Sequence, residues 1–332
     1  MKAITRFTVA TLIVISSSAA GAVRAAQTSG DSAQAYPNRP IRLMVQFQPG
    51  TSTDIATRVI AQKLTETWGH QVIADNRPGA GGTIATEIGA RATPDGYTLT
   101  MAPAGAIGIA PALYSKLPYD VLRDFAAITN LVTVGQVLIS SPALPAKTVP
   151  QVVAAARSQP GTMNYGSTST GTASHLAMEM FQSVAKVKLN HVPFKGSPAA
   201  HLDLMSGQIQ LMIDGLPAAL PLIKSGKIRG IAVTSLERQK LAPDLPPIAE
   251  SYPGFEAIGW VGILAPAKTP PAILDKLNRE IVRIVNLSDT RERFDTLGFM
   301  PAAGTRAQHT TFIRSEIQKW TRVVRDAGVK VE

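Results

Sequence analysis

Two short segments rich in glycine, serine and threonine are the parts of this sequence most suited to binding chemistry. The first is FQPGTSTD, residues 47–54, and the second is YGSTSTGTASH, residues 165–175. Each follows a strand-like stretch and precedes a stretch with helical spacing, so each is predicted to open a helix. The first turn of a helix has unpaired N–H groups and a partial positive charge, and nearby hydroxyls add further donors. Two such helix ends facing one cleft would bind a carboxylate.

Helix capping is the alternative explanation for these residues, since Ser, Thr and Asp are the usual capping residues. In the second segment, six of the seven residues from 167 to 173 are Ser, Thr or Gly, which is more than one cap requires. We therefore predict a ligand loop there. A third glycine-rich loop, RPGAGG at 77–82, fails the pattern G-x-G-x-x-G because its last position is Ile84. A dinucleotide site is therefore not predicted.

Two charged residues lie at further strand-to-helix turns. Lys195 follows the predicted strand 189–192, and it either supplies a positive charge to an anion or is a solvated loop residue. Asp214 follows the predicted strand 209–213, at the edge where α/β proteins bind ligands. It either accepts a hydrogen bond from a hydroxyl, amine or water, or caps the next helix.

Catalytic patterns are weak. The sequence has no G-x-S-x-G, H-E-x-x-H or P-loop motif, and its five histidines lack metal-ligand spacing. A hydrolytic triad could be drawn from His175, His191 or His201 with Asp203 or Asp214, because triad order along a chain varies. We instead expect His175 and His201 on helix surfaces and His191 at the start of a strand. The sequence predicts no catalytic residue, no metal and no cofactor.

The amino terminus predicts export. Lys2 and Arg6 precede an apolar run at 7–20, and small residues at 23 and 25 suit a signal peptidase. The apolar run is shorter than the roughly 20 residues that span a bilayer. We predict a signal peptide at 1–25, cleaved near Ala25, a flexible leader at 26–38 and a soluble periplasmic protein. The chain has no cysteine, which excludes disulfides and thiolate metal sites.

Composition indicates a globular protein and argues against nucleic-acid binding. The net charge is +10, which either favours anionic ligands or serves solubility alone. The basic residues are scattered and aromatic residues make up only 5% of the chain, which argues against nucleic acid.

Alternating strand and helix patterns predict two α/β domains joined by a hinge. Lobe 1 is expected at 39–133 and 259–332, and lobe 2 at 134–258. The chain crosses between them at 126–140 and 258–264, and two neighbouring crossing strands would bend together when the lobes close. The other predicted strands are 41–47, 71–74, 97–101, 163–165, 189–192, 209–213 and 228–233, and the predicted helices are 54–68, one from 83, 149–157, 172–184, 198–205, 217–225, one from 270, and 307–327.

Taken in order, several motifs resemble the Bug family, the extracytoplasmic receptors of tripartite tricarboxylate transporters. They are YPNRPIRLMVQFQPGTSTDIATR, NRPGAGG, ATPDGYTL, MNYGSTSTGTASHLA, HVPFKG, DLMSGQIQLMID and GWVGILAPAKTPPAILDKLN. The resemblance covers essentially the whole chain after the signal peptide.

The resemblance implies a type II-like periplasmic binding protein with two parallel-rich sheets, flanking helices and a two-strand hinge. It also implies that residues 47–53 and 167–172 hold the inner carboxylate of the ligand with backbone amides, hydroxyls and ordered waters. Thr51 departs from the family, which commonly has a second glycine there. The loop 102–107 is more apolar than in relatives, which favours a dicarboxylate with an aliphatic or aromatic spacer, adipate- or terephthalate-like.

The function implied is capture of a carboxylate ligand by a monomer and its delivery to membrane permease subunits. A ligand sensor that signals to a kinase is the alternative, and a secreted hydrolase is a third. The predicted ligand-binding residues are Phe47, Gln48, Thr51, Ser52, Thr53, Ala102, Ala104, Ser167, Thr168, Ser169, Thr170, Thr172, Lys195 and Asp214.

Overall fold

The computed structural model describes residues 36–327, so the predicted signal peptide and most of the predicted leader lie outside the described residues. The strands are β1 Ile41–Val45, β2 Val72–Asn76, β3 Thr98–Pro103, β4 Phe125–Val134, β5 Gln136–Ser140, β6 Asn164–Ser167, β7 Asn190–Pro193, β8 Leu211–Gly215, β9 Arg229–Val233, β10 Gly259–Pro266 and β11 Phe299–Pro301. The helices are α1 Ser52–Trp68, α2 Thr83–Ala90, α3 Ala110–Leu113, α4 Val121–Asp124, α5 Val149–Ser158, α6 Ala173–Ala185, α7 Ser197–Ser206, α8 Leu216–Lys224, α9 Pro271–Val285, α10 Ser288–Leu297 and α11 Arg306–Ala327.

These strands form two sheets, as the sequence predicts. The six-stranded sheet has the order β11-β4-β10-β3-β1-β2, and the five-stranded sheet has the order β7-β6-β8-β5-β9. We call each sheet with its flanking helices a lobe, and the six-stranded sheet belongs to lobe 1. The two-lobed α/β architecture is therefore confirmed.

Most strands of each sheet run in one direction, although antiparallel strands are inserted among them. In lobe 1, β1 pairs in parallel with β2 and β3, whereas β10 is antiparallel to both β3 and β4. In lobe 2, β6 pairs in parallel with β7 and β8, and β5 is antiparallel to β8 and β9. The antiparallel strands β10 and β5 lie next to the crossings. A chain that passes from one sheet to the other runs antiparallel to the neighbouring strands of the sheet that it enters.

The hinge consists of two neighbouring segments. The predicted crossing at 126–140 is two strands, β4 and β5, separated by Gly135. The return crossing begins at Gly259, which pairs with Val134 across β10 and β4. Register shifts interrupt this ladder after Val261 and after Ile263.

Each sheet covers its own apolar core. In lobe 1, Leu43 and Leu99 pack with Leu277 and Ile281 of α9. In lobe 2, Tyr165 and Ile213 pack with Phe181 of α6. Within residues 36–327, no helix is both long enough and apolar enough to span a membrane.

Tyr36, at the end of the predicted leader, belongs to the lobe 1 core. It is 3% exposed, it donates a hydrogen bond to the carbonyl of Gly96 at 2.7 Å, and its ring meets Trp68 and Tyr97 edge-on. The fold therefore begins at least three residues before the predicted start at 39.

Candidate functional site

A cavity of about 540 Å³, partly open to solvent, lies between the two sheets. Lobe 1 contributes Phe47, Thr51, Ser52, Thr53, Pro103, Ala104 and Gly105; the hinge contributes Val134, Gln136, Gly259, Trp260 and Val261; and lobe 2 contributes Thr168, Thr172, Ala173, Ser174, Ser197, Asp214 and Gly215. Helices α1, α6, α7 and α8 all begin at this cavity. Their free N–H groups favour a negatively charged ligand.

The lobe 1 loop is held by a cap at the start of α1. The Thr51 hydroxyl accepts from the N–H of Asp54 at 3.4 Å, and Asp54 Oδ2 accepts from the N–H of Gly50 at 2.9 Å. Gly50 has a φ of +87°, a conformation that favours glycine. Asn76 donates to Asp54 Oδ1 at 2.9 Å and to the carbonyl of Phe47 at 2.8 Å, which ties the loop to β2. Thr51, which stands where the family commonly has a glycine, thus caps the helix and also lines the cavity.

The lobe 2 loop is built in the same way at the start of α6. The Thr172 hydroxyl accepts from the N–H of His175 at 3.4 Å, and His175 Nδ1 accepts from the N–H of Gly171 at 3.2 Å. Gly171 has a φ of +76°. The hydroxyls of Ser167 and Thr172 both donate to the carbonyl of Ser169, at 3.0 and 2.7 Å. The segments GTSTD and GTASH therefore share one capping geometry, with a carboxylate as the acceptor in lobe 1 and an imidazole in lobe 2.

Two buried polar atoms at the cavity have no hydrogen-bond partner in the protein. They are Ser52 Oγ and Asp214 Oδ2. Asp214 Oδ1 accepts from Ser197 Oγ at 3.0 Å and from the N–H of Gly215 at 2.8 Å. Asp214 Oδ2 lies 2.9 Å from His201 Nε2, but the ring N–H is not directed at it, so both atoms lack a proper hydrogen bond. Because an unpartnered buried acceptor is costly, a ligand or a water is expected to donate to Asp214 Oδ2.

One part of the cavity wall is apolar. Phe47, Pro103, Val134 and Val261 line it beside the indole ring of Trp260. Trp260 is 3% exposed, and its N–H donates to Glu316 Oε2 at 2.9 Å, away from the apolar wall. This wall suits the carbon skeleton of a ligand rather than a second charged group.

The lobes touch at the rim of the cavity, so the structure is closed. A Cβ atom added to Gly81 of lobe 1 would lie 2.7 Å from the carbonyl oxygen of Thr170 in lobe 2. One added to Gly105 would lie 3.1 Å from Thr172 Cα. These glycines let the lobe 1 backbone approach the lobe 2 loop closely.

Eight of the fourteen predicted ligand residues line the cavity. They are Phe47, Thr51, Ser52, Thr53, Ala104, Thr168, Thr172 and Asp214. The other six are Gln48, Ala102, Ser167, Ser169, Thr170 and Lys195.

These six lie behind or beside the cavity. Ala102 is fully buried in the lobe 1 core, and Lys195 is exposed. Ser167 is buried against His191, with 2.7 Å between Oγ and Nε2. Ser169 and Thr170 present backbone carbonyls to neighbouring groups. Gln48 packs near Gly196 of lobe 2.

Several lining residues were missed because they come from separate parts of the chain. Ser197 begins α7, Gly215 ends β8, and Gln136 begins the first strand after the hinge. Proline at the second position of α7 and α8 does mark two helix starts. That signal could have added Ser197 and Gly215 to the site.

The expectation that His175 and His201 lie on helix surfaces is wrong. They are 6% and 5% exposed, because α6 and α7 pack these faces against β6 and β8. Burial lowers the pKa of His175, and of His191 beside it, to about 4. Both rings are therefore neutral near pH 7.

No hydrolytic triad forms among residues 36–327 from the histidines considered. The Ser197 hydroxyl donates to Asp214 Oδ1, and His201 Nε2 has no hydrogen bond to a serine hydroxyl. Ser167 Oγ lies 2.7 Å from His191 Nε2, but Asp214 hydrogen-bonds Ser197 and Gly215 and does not orient this imidazole as the third member of a triad would. No group of three or more His, Asp or Glu residues in this range could hold a metal ion.

This fold and site define a two-lobed solute-binding receptor of the periplasmic binding protein class. Residues 56–329 match the model of the tripartite tricarboxylate transporter family receptor, TctC. The chain belongs to this family, and its resemblance to Bug receptors is confirmed.

Curated relatives cover nearly the whole chain. Protein BugT of Bordetella pertussis is 36% identical over 303 residues, 91% of this chain and 93% of BugT. A protein of the tcbD-tcbE intergenic region of a Pseudomonas strain is 35% identical and covers 92% of each chain.

Solved structures give the same result. The R. palustris protein Rpa4515 with adipate superposes with a TM-score of 0.87 at 32% identity, covering 89% of this chain and 99% of that one. MatC from Rhodopseudomonas palustris with bound malate superposes with a TM-score of 0.83 at 31% identity, covering 87% and 100%. The periplasmic binding protein BugD superposes with a TM-score of 0.85 at 32% identity, covering 90% and 100%.

Proposed function

We propose that this chain is an exported periplasmic receptor that closes its lobes around a dicarboxylate with an aliphatic or aromatic spacer. It then delivers the ligand to the membrane permease subunits of a tripartite tricarboxylate transporter and catalyses no reaction. Two structural relatives hold dicarboxylates, adipate in Rpa4515 and malate in MatC. The observation that carries the proposal is the convergence of the α1 and α6 starts on one cavity.

In this proposal, lobe 1 comprises residues 39–133 and 259–332, and lobe 2 comprises 134–258. One carboxylate of the ligand lies between Ser52 and Thr53 on one side and Thr168 and Thr172 on the other. Free N–H groups at the two helix starts and the hydroxyl of Ser52 donate to it. The ligand therefore bridges the lobes and stabilises the closed form, which is how binding shifts the population toward closure.

The spacer lies on the apolar wall. Phe47, Val134, Val261 and the Trp260 ring contact carbon without offering a charge. Asp214 carries a negative charge at the same cavity, so it does not contact the carboxylate directly. A water that donates to Asp214 Oδ2 and to the ligand satisfies both groups.

Calorimetric titration of the chain without residues 1–25 tests the ligand class. We expect adipate or terephthalate to bind and the uncharged diamide of adipate to give no heat, because the helix ends act on negative charge. Aspartate and glutamate should bind at least about tenfold more weakly, since their ammonium group loses water against the apolar wall. Tight binding of aspartate or glutamate with no response to adipate or terephthalate would overturn the spacer preference.

The variant Asp214→Asn tests whether Asp214 contacts a dicarboxylate ligand directly. It keeps an oxygen to accept from Ser197 and Gly215 and removes one negative charge. We expect dicarboxylate affinity to be unchanged or higher. A large loss for a dicarboxylate would mean that Asp214 binds a donor on the ligand directly.

A further inference from the structure

A stack of three rings supports the lobe 2 ligand loop from behind. His191 of β7 stacks on both Tyr165 of β6 and His175 of α6, with ring centroids 4.9 and 4.1 Å away, and the rings of Tyr165 and His175 lie 6.4 Å apart with all three planes nearly parallel. Ser167, whose hydroxyl lies against His191, begins the loop, and His175 follows its end. The stack therefore touches both ends of the loop.

Hydrogen bonding fixes where the proton of the His175 imidazole lies. His175 Nδ1 accepts from the N–H of Gly171, so this nitrogen carries no proton. Beside it, Ser167 Oγ lies 2.7 Å from His191 Nε2 and 3.0 Å from the carbonyl of Ser169. The geometry requires His175 to be neutral with its proton on Nε2.

The ligand loop of lobe 1 does not require a neutral imidazole. At the matching position, Asp54 accepts from Gly50 as a carboxylate, and Arg58 donates to it at 2.9 Å. Helix α5, remote from the cavity, begins similarly, with the side chain of Gln151 accepting from the N–H of Lys147 at 2.8 Å. Of these three acceptors, only His175 would lose all its capacity to accept on taking a proton, because a protonated carboxyl keeps an acceptor oxygen and the amide of Gln151 does not titrate.

Few ionisable groups face the stack. On α6, Glu179 Oε1 lies 3.8 Å from His175 Nε2, and it also hydrogen-bonds the hydroxyl of Tyr165 on β6. The charges that act on His191 are those of His175 and Glu179. Strand β8 meets α6 through the hydrogen bond from Ser174 to the carbonyl of Ile213, while its Asp214 binds Ser197 and Gly215 instead. Helix α11 meets α6 through apolar contacts of Leu176 with Trp320 and Val324.

Protonation would act on this arrangement in two ways. A proton on His175 Nδ1 would face the N–H of Gly171, so the loop would lose its acceptor and two donors would oppose each other. Charging both rings at a 4.1 Å separation of their centroids adds like-charge repulsion, although Glu179 favours the charged form of His191. The loop that presents Thr168 and Thr172 to the cavity would then leave its ligand-binding conformation.

We infer that His175 is a positioning residue of the lobe 2 ligand loop, supported by His191, and that acid weakens ligand capture by protonating it. This inference rests on the proposed function, since it concerns the same cavity. By this inference, acidification releases the ligand through a change in the lobe 2 loop, and the lobe 1 loop that Asp54 holds does not respond in this way.

The sign of the effect follows from burial. Burial lowers the pKa of His175 from 6.5 to about 4 in the closed structure, so the closed form binds fewer protons than a form in which the loop opens to water. Ligand affinity is therefore full above pH 6.5, falls between pH 6.5 and 4, and levels off below pH 4.

The test compares His175→Asn with the unchanged chain at pH 7.5 and pH 5.0, with adipate as the probe. Asparagine Oδ1 replaces Nδ1 as an acceptor and does not titrate. Comparing the Kd values of the two proteins at each pH cancels the ionisation of adipate itself. We expect similar Kd values at pH 7.5, and at pH 5.0 a Kd of the unchanged chain that is higher by about tenfold. Equal acid sensitivity in the two proteins would overturn the inference.

His309→Asn is the matched control, because burial also lowers the pKa of His309, to about 3, and this residue does not line the cavity. It should keep the acid sensitivity of the unchanged chain. If His175→Asn fails to fold, nitrogen NMR of the unchanged chain decides: Nδ1 of His175 must gain its proton over the pH range in which affinity falls, and a neutral ring throughout refutes the inference. Absence of any carboxylate binding at pH 7.5 would instead refute the proposed function.

Discussion

A buried hydroxyl without a hydrogen-bond partner is unfavourable unless a ligand or a water bonds to it. Ser52 Oγ is such a group at the cavity. We expect Ser52→Ala to weaken carboxylate binding about 5- to 30-fold, or about 1–2 kcal/mol, because one donor to the ligand is lost. The melting temperature of the ligand-free protein should hardly change, since the hydroxyl has no protein partner to lose. Calorimetry and thermal melting measure the two effects.

Ser140→Ala is the control for this variant. Ser140 Oγ is also buried without a partner, but it lies at the end of β5 and does not line the cavity. Its removal should leave both affinity and melting temperature nearly unchanged. Equal affinity in the two variants would mean that Ser52 does not contact the ligand.

The sequence predicted which loops meet the cavity better than which hydroxyls face it. Thr168 and Thr172 line the cavity, whereas Ser167 turns inward to His191. A run of Ser and Thr residues gives no signal for side-chain direction, because that depends on a ring from β7, 24 residues further along the chain. The burial of His201 was missed for the same reason, since the carboxylate that lies 2.9 Å from it, Asp214, is on β8.

At the scale of elements, the cap of a helix can be separated from its role in binding. Thr172 caps α6 at the cavity, and Thr148 caps α5 elsewhere, each accepting from a backbone N–H at 3.4 Å. We expect Thr172→Ala and Thr148→Ala each to lower the free energy of unfolding by about 1 kcal/mol. Only Thr172→Ala should also weaken carboxylate binding, because its hydroxyl holds the ligand loop through Ser169.

Urea unfolding followed by calorimetry on the same samples checks this pair. Because each variant removes a helix cap, a loss of affinity in Thr172→Ala that exceeds its loss of stability relative to Thr148→Ala reports the ligand loop rather than general loosening. Equal affinities in the two variants would show that the cap of α6 is purely structural.

Element boundaries were predictable where local chemistry sets them. The caps at Thr148 and Thr172 fix the starts of α5 and α6, and Gly135 separates β4 from β5 within the predicted crossing at 126–140. The short helix α10 and the π-helical segment at 105–109 were missed. The π-helical segment is an apolar run of Gly, Ala and Ile without a polar face, so its sequence carries no helical periodicity.

For the whole molecule, two α/β sheets joined by two crossing strands followed from the alternation of patterns along the chain. The strand order inside each sheet did not follow, because periodicity does not specify which strands pair. The positions of the closure contacts were equally inaccessible, since Gly81 and Gly105 meet the segment 170–172 only after both lobes have formed. They are ordinary glycines in the sequence and gain their role from the distance between the lobes.

Closure itself can be tested at Gly105. This residue is not in the left-handed region, so a side chain adds no backbone strain of that kind, but an added Cβ lies 3.1 Å from Thr172 Cα and 3.3 Å from the carbonyl of Gly171. Gly105→Val places two further methyl groups against lobe 2 and should exclude the closed form. We expect at least about a tenfold loss of affinity, because a ligand that bridges the lobes loses the contacts of one lobe.

The melting temperature of ligand-free Gly105→Val should stay close to that of the unchanged chain, since the contact lies between the lobes and outside either core. Small-angle scattering should show the unchanged chain contract when ligand is added and the variant remain extended. Ala154→Val, on the exposed face of α5, adds the same kind of bulk away from the cavity and should behave like the unchanged chain. A Gly105→Val protein that binds and contracts normally would mean that ligand capture does not require this closed arrangement of the lobes.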